Sequence, residues 1–502
     1  MIPVLLAQAP PAPAPLVAPT PNPTPLSSPA PAATVLRPQQ VAPLPGGLDP
    51  VLMVNDNNPE LILEPGILLS TFEGKGRPFP EAHLNLPLNG RFDLFSHHVY
   101  AGTPQTLEST LWLAVVAMPR QAAPVQLRLL SGSTSLSQAT APGQASAPFL
   151  PLPPLLPQDG STYAGPGDRV ATELLSQQKS PQLPQRWTLP AGQLTPLMVL
   201  PIPVKGLSPL LNGLNLQLRL ESSGPLSLAT LASFGGDQPP APEVWQALLN
   251  GPPSPKELTA TPRGSSQGPF AYSRVSGVQI GSLWRGAITD PGKPWLSVSR
   301  APISWPISGL VRGSHGTGQV QSAELKAFYP GTAWAAHGNY GVEYDLRLPL
   351  RNDTARPVSL QLALESPLKG DKPQGGLKFR QGAGGSVWFR GSVEVAGLDG
   401  PEGKPLGREG FHLVLRSGQE GPRLGTVTLA PGGQRQLRLR LIYPADATPP
   451  QVLSLLPLAA AVSPSGSSPV SVPGSSLTSP ASSPSKSPPA SSPAAAPGAP
   501  RP

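Results

Sequence analysis

A mostly β fold is predicted: two tandem, internally repeated antiparallel β-sandwich domains, one or two short helices, and disordered N- and C-terminal tails. Three features predict it. Short apolar-alternating segments recur between Pro/Gly turns. One strand–turn–strand rhythm occurs twice, at 111–133 and at 344–366. Both ends of the chain are proline-rich and poor in large apolar residues.

The segment 1–45 is predicted to be a signal-like start followed by a flexible Pro/Ala-rich stretch. Ile2 to Ala7 is apolar but too short to span a bilayer. Ala7-Gln8-Ala9 puts small residues where a signal peptidase cleaves, although a basic leading region and most of the apolar run are missing. A signal peptide whose start was truncated or assigned too late, and an Ala/Pro tail with a chance match, both fit. Export to the periplasm, the cell envelope or the exterior is the expectation; a chance match would mean the cytoplasm. Residues 457–502, rich in Pro, Ser and Ala, cannot bury enough apolar surface to offset ordering and are predicted to be a flexible tail.

Residues 46–250 are predicted to form the first sandwich and 270–456 the second, joined by a Pro/Gly/Ser linker at 251–269. Without gaps, Pro124-Val125 lies on Pro357-Val358. Leu111, Leu113, Val115 and Ala117 then fall on Tyr344, Leu346, Leu348 and Leu350; Val125, Leu127 and Leu129 fall on Val358, Leu360 and Leu362. Period-two alternation marks strands with one buried face, and a one-residue slip would exchange the faces, so matching registers are informative. Three further pairs keep the same order: GILLSTF (66–72) with GLVRGSH (309–315), AHLNLPLNG (82–90) with AELKAFYPG (323–331), and WTLPAGQLTPLMVLPI (187–202) with VTLAPGGQRQLRLRLI (427–442). Helices are predicted at 168–179, with Asp168 as N-cap and Val170, Leu174 and Leu175 on one face, and at 242–251, with Glu243 in the first turn and Asn250-Gly251 as the stop.

The segments EPGILLSTF, PEAHLNLPLNGRFDLFSHHV, YAGPGDRV, AHGNYGVEYDLRLPL and YPADATPPQVL resemble an exported-looking cyanobacterial family catalogued as a domain of unknown function, number 3370 in that series. The resemblance spans about 48–456. It implies a shared fold and a cyanobacterial source, and no activity, cofactor or catalytic residue.

Composition limits the chemistry. The formal charge is +8, but the basic residues are scattered, and phosphate backbones require clustered cations, so no nucleic-acid partner is expected. Cys is absent, which excludes disulfides and thiol catalysis. No apolar run is long enough for a transmembrane helix. GSSQG (264–268) fits the G-x-S-x-G pattern, but proline-rich linker precedes it where a strand is needed, so it reads as linker. His83, His97, His98, His315, His337 and His412 lie at no zinc-binding spacing. His97 or His98, and His337, are expected to tie strand starts to backbone carbonyls. GSHGTGQ (313–319) lacks the helix that phosphate cradling needs. YAGPGDR (163–169) reads as a tight turn into a helix, with an anion at the helix N-terminus as the lesser alternative.

Trp284, Trp295, Trp305, Trp334 and Trp388 are expected to fill core and contact space; the competing use is stacking on sugar rings. The best local ligand cluster is Trp334, His337, Asn339 and Tyr340. No catalytic residue, metal or cofactor is predicted. The leading expectation is an exported, non-enzymatic structural or interaction protein of the cell envelope, contacting an envelope polysaccharide or another envelope protein. A carbohydrate-binding protein using that cluster, and a hydrolase built on His97, His98 or His337 with Asp93, are the alternatives.

Overall fold

A computed structural model describes residues 33–458, apart from 104–108, 139–149, 152–162, 178, 182, 208, 259–273 and 383. The segments 1–32 and 459–502, and the GSSQG motif, therefore lie outside the described residues. The fold is mostly β, with two α-helices, α1 (Pro166–Leu175) and α2 (Pro242–Leu249).

Alternation sets the local structure. In Val125–Leu136, Val125, Leu127 and Leu129 are buried while Gln126 and Arg128 are exposed. Thr110–Pro119 is buried on both faces instead. Leu111, Leu113, Val115 and Ala117 enter the main core of the first half. Trp112, Ala114 and Val116 pack in a separate cluster with Trp245 and Leu249 of α2, so the helix covers the outer face of this strand.

A ten-stranded sheet dominates the first half. Its spine is the 25-residue strand Leu211–Gly235. Residues 211–222 pair with Leu88–Ala101 on one side, and 214–222 with Val125–Leu136 on the other. Past an irregularity, residues 226–235 pair with Thr110–Pro119 and residues 229–232 with Gly66–Ser70. In the second half a seven-stranded and a five-stranded sheet contribute to one apolar cluster, with Trp305, Leu362 and Leu455 from one and Tyr344, Val393 and Leu439 from the other.

The pairing registers of the two halves correspond. Leu189 faces Val125, as Leu429 faces Val358. Thr195 faces Ala117, as Arg435 faces Leu350. Leu220 faces Leu129 and Phe92, as Leu455 faces Leu362 and Ile303. Beyond these, Leu52–Asp56 runs parallel to Leu88–Ala101, as Gln40–Val41 runs parallel to Ile303–Ile307. Two of the four sequence blocks thus share a register. The other two do not: Gly66–Ser70 is a strand while 309–315 is not, and Leu325–Phe328 is a strand whose counterpart at 84–87 is not.

Three boundaries are corrected. Thr34–Pro38, Gln40–Val41 and Gly47–Leu48 are strands, so the flexible N-terminal stretch does not extend to residue 45. They pair with Gly376–Arg380, Ile303–Ile307 and Leu283–Ala287 of the second half. Arg37 donates to the buried carboxylate of Glu365 and lies 4.6 Å over the Phe379 ring, which explains why a Pro-rich segment stays in place. Residues 251–258 are not free linker, because Ser254 donates to the Ile67 carbonyl at 3.0 Å and the half-buried Lys256 donates through Nζ to the Ile67 and Leu68 carbonyls. The halves are not separable at this segment either. Ser276–Ile280 pairs with Leu52–Asp56 and with Leu325–Phe328, adding both second-half strands to the first-half sheet. The exchange closes sheet edges that would otherwise expose unpaired backbone, and residues 33–458 form one compact unit.

Both helices form where expected, with one change. α1 begins at Pro166 with Gly165 as N-cap, so Asp168 sits inside the first turn. Asp446 supplies the cap from 278 residues away, its Oδ2 accepting from the Asp168 backbone N–H at 2.8 Å. A Cβ on Gly165 or Gly167 would lie 2.5 Å or 3.1 Å from that oxygen, so glycine permits the approach. The hydrogen-bond acceptor at this helix N-terminus is thus a side chain of the protein itself, and burial raises its pKa.

Candidate functional site

A cavity of about 490 Å³ opens at the seam between the two halves. Its described walls come from seven places in the chain. Asn57 and Glu60 follow the strand Leu52–Asp56, and His97 lies on Leu88–Ala101. Arg274 precedes Ser276–Ile280, and Leu310 and Arg312 follow Ile303–Ile307. His337 and Tyr340 come from the AHGNYG loop, Lys369 follows Val358–Glu365, and Ala445, Ala447, Thr448 and Pro449 belong to YPADATPP.

The cavity is cationic. Arg274, Arg312 and Lys369 line it, and Glu60 is the sole carboxylate among the described lining residues. Glu60 is already engaged: His97 lies 3.7 Å from it, and Arg274 bonds both Glu60 and Glu257. The hydrogen bond from His97 lowers the Glu60 pKa below the usual carboxylate value, and the Arg274 charge adds to this against the opposing effect of burial. Burial lowers the pKa of Lys369, whose ammonium lies 5.2 Å over the Trp388 ring. Tyr340 donates to the Ala447 carbonyl at 3.0 Å and meets the edge of the His337 ring at 4.9 Å.

Of the four predicted ligand residues, His337 and Tyr340 line this cavity. Trp334 is not among its lining residues. Asn339 is buried and serves the fold: its Oδ1 accepts from Ala323 N–H at 2.9 Å, and its Nδ2 donates to the Gln321 carbonyl and the Tyr344 hydroxyl. The other tryptophans are mainly packing residues. Trp305 lies in the core, Trp284 donates to the Pro45 carbonyl at 3.0 Å, and Arg351 covers Trp295 at 4.4 Å.

The histidines do not assemble with Asp93. That carboxylate is buried against Arg91 and lies 3.9 Å from Arg219. His98 is fully buried, Nδ1 on the Pro59 carbonyl at 2.8 Å and Nε2 on Asp56 at 3.0 Å. The expected tie to a backbone carbonyl therefore holds for His98, while His97 meets the side chains of Asn215 and Glu60. A Ser–His contact that sequence reasoning missed, Ser70 Oγ to His83 Nδ1 at 2.7 Å, is buried beneath Tyr329, whose hydroxyl accepts from Ser70 N–H. Burial depresses His83 to about 4. Among the described residues, no group of three or more His, Asp or Glu could hold a metal ion, and no helix is long and apolar enough to cross a membrane.

The sequence also missed Glu60, Arg274, Arg312 and Lys369. No local motif marks them, because they are scattered over 310 positions and converge only through sheet pairing.

The family model described as "Protein of unknown function (DUF3370)" matches residues 39–457. The chain belongs to this family. The match spans the five-stranded sheet from its first strand, Gln40–Val41, to its last, Gln451–Pro457, and includes the exchanged strands apart from Thr34–Pro38. Every residue lining the cavity lies inside it. No curated protein matches the chain.

Proposed function

We propose that this DUF3370 protein is an exported, non-enzymatic binding protein of the cell envelope, built from two copies of a double-sheet sandwich module that exchange edge strands. The duplicated architecture is supported by the corresponding registers around Val125 and Val358 and by the parallel edge strands at Leu52–Asp56 and Gln40–Val41. Export is supported by the small-residue pattern Ala7-Gln8-Ala9 ahead of a proline-rich stretch.

The seam cavity carries the binding reading. It brings two predicted ligand residues together with three cations, and its one lining carboxylate already has partners. General acid–base chemistry needs a group within hydrogen-bond reach of the reacting atom. The two tightest acid–histidine contacts among the described residues, Asp56 with His98 and Asp168 with His412, both at 3.0 Å, are buried away from the cavity. Binding without turnover is what such a wall suits. Cell fractionation with mass spectrometry of the mature N-terminus tests the proposal: recovery outside the cytoplasm, with an N-terminus beyond Ala9, is expected, and uncleaved full-length protein in the cytosol overturns it.

Carbohydrate binding is the second reading, with His337 and Tyr340 at the cavity and Trp388 beside Lys369 at 5.2 Å. Asn339 has no place in it, because its amide is committed inside the fold.

A further inference from the structure

We infer that the seam cavity binds a small ligand bearing two or more oxyanion groups, on a scaffold about the size of a disaccharide. The inference rests on the binding reading above and adds the class of ligand.

Charge is the first argument. Arg274, Arg312 and Lys369 face about 490 Å³ of space; Glu60 and Glu257 offset Arg274, which leaves the charges of Arg312 and Lys369 to set its sign. A cavity lined by one sign of charge within low-dielectric walls concentrates ions of the opposite sign. Arg274 spends part of its fork on Glu60 and Glu257, which holds the guanidinium in position. Arg312 also lines the cavity and is exposed.

Desolvation is the second. Lys369 is exposed as a whole, but the surrounding wall lowers the pKa of its ammonium. The aromatic face of Trp388 offsets part of that cost without neutralising the charge. A carboxylate, sulfate or phosphate oxygen would supply the charge-assisted hydrogen bond that best stabilises a partly desolvated ammonium. The cationic groups come from separate strand ends, so they fit separate oxyanions better than one. His97 and His337 add ring nitrogens along the same wall, and Thr448 and Asn57 add neutral polar groups for hydroxyls.

Shape is the third. The volume falls within the range of small-molecule sites. The wall includes the apolar side chains of Leu310, Ala445, Ala447 and Pro449 as well as the charged ones. A bare metal-like ion would leave most of this surface unused, whereas a polyhydroxylated ring carrying acidic groups would cover it.

An acidic oligosaccharide and a phosphorylated small molecule share this chemistry, and titration calorimetry on the full chain separates them. The probes are a glucuronate-containing disaccharide, a sulfated disaccharide and inorganic pyrophosphate, with maltose as the neutral disaccharide of similar size. Binding of at least one anionic probe is expected, weakening as salt rises, with maltose at least tenfold weaker. Binding of the disaccharides alone assigns a saccharide source, and binding of pyrophosphate alone assigns a phosphate source; either result supports the inference.

Lys369→Gln and Arg312→Gln are each expected to weaken binding about tenfold, the loss of one charge-assisted hydrogen bond. Arg312→Gln is the variant to trust if Lys369→Gln unfolds, since its side chain is exposed. Maltose binding as tightly as the acidic probes, no heat from any anionic probe up to 1 mM, on the order of the weakest specific affinities, or full affinity in Arg312→Gln would overturn the inference. Failure of all probes with the protein found outside the cytoplasm would leave the envelope reading standing. Anion binding by a cytosolic protein would do the reverse.

Discussion

Glu343 joins the two halves through charge, and replacing it with Gln measures that joint. Its Oε2 accepts from Arg219 Nη2 at 2.7 Å, and its Oε1 accepts from Arg440 Nε at 2.9 Å, with Arg440 Nη2 also 2.8 Å away. Arg219 lies on the first-half strand Leu211–Gly235 and Arg440 on the second-half strand Gln434–Ile442. Glu343 and Arg440 are both buried. Glu343→Gln keeps the volume but turns an amide donor toward one guanidinium. Removing one partner from a buried pair costs about 3–5 kcal/mol. Arg440 retains Glu394 at 2.9 Å, and Arg219 retains Asp93 at 3.9 Å, which places the loss near the lower end, about 3 kcal/mol.

The pH dependence gives a second, independent check. Burial alone would raise the Glu343 pKa, but Arg219 and Arg440 together outweigh it and hold the pKa below 4.5. A depressed carboxylate contributes stability that is fully present above its unfolded value and is lost as pH falls through its folded value. The gap between wild type and Glu343→Gln should therefore be constant near neutrality and shrink below about pH 4.5, the unfolded value. Guanidinium unfolding at a series of pH values measures it. A loss under about 1 kcal/mol at pH 7, the range of exposed pairs, or a gap that does not change with acid, would refute the reasoning.

Lys256 should give a slope of the same sign in an alkaline window. Burial lowers its pKa to about 8, with the Asp56 charge opposing, while the unfolded chain keeps the proton to about 10.5. The unfolded state binds more protons in that window, so stability should rise with pH by up to about 3 kcal/mol, and the rise should be absent in Lys256→Met unfolding curves. Gly167→Ala would set a Cβ 2.9 Å from the Ala445 backbone nitrogen and push α1 off Asp446; a loss of about 1–3 kcal/mol is expected in thermal unfolding, and an unchanged midpoint would show that the helix can retreat freely. Tyr344→Phe removes a buried hydroxyl that accepts from Ser308 N–H and Asn339 Nδ2 and donates to Gln321 Oε1. Two donors are stranded, so about 1–3 kcal/mol should be lost by denaturant titration.

How much of this could be read beforehand differs from element to element. The alternating residues around Val125 and Val358 identified strands with an apolar inner face but not their partners: the strands on either side of each turn do not pair with each other, and Val125–Leu136 pairs instead with Arg186–Leu189 as Val358–Glu365 does with Arg423–Leu429. α2 was visible from its stop at Asn250-Gly251, and the buried face of α1 from Val170, Leu174 and Leu175. The α1 cap was not visible, because it belongs to Asp446. The blocks at 66–72 and 82–90 failed because a resemblance in residue types says nothing about which strand lies alongside.

The cavity divides in the same way. His337 and Tyr340 stood out because they are close in sequence and aromatic or polar together. Asn339 sits between them and points into the fold, which spacing alone does not reveal.

The residues alone established that the chain is β-rich, with strands whose inner faces are apolar, two short helices and no thiol chemistry. Those properties are local: side-chain period and backbone propensity act over a few residues. Folding in three dimensions decided that Gln40 lies beside Ile303, that Ser276–Ile280 leaves its own half for the other, and that cations from 274, 312 and 369 line one space. Such pairings join backbones hundreds of residues apart through hydrogen bonds common to every residue, so they leave no mark in the order of side chains until the sheets are assembled.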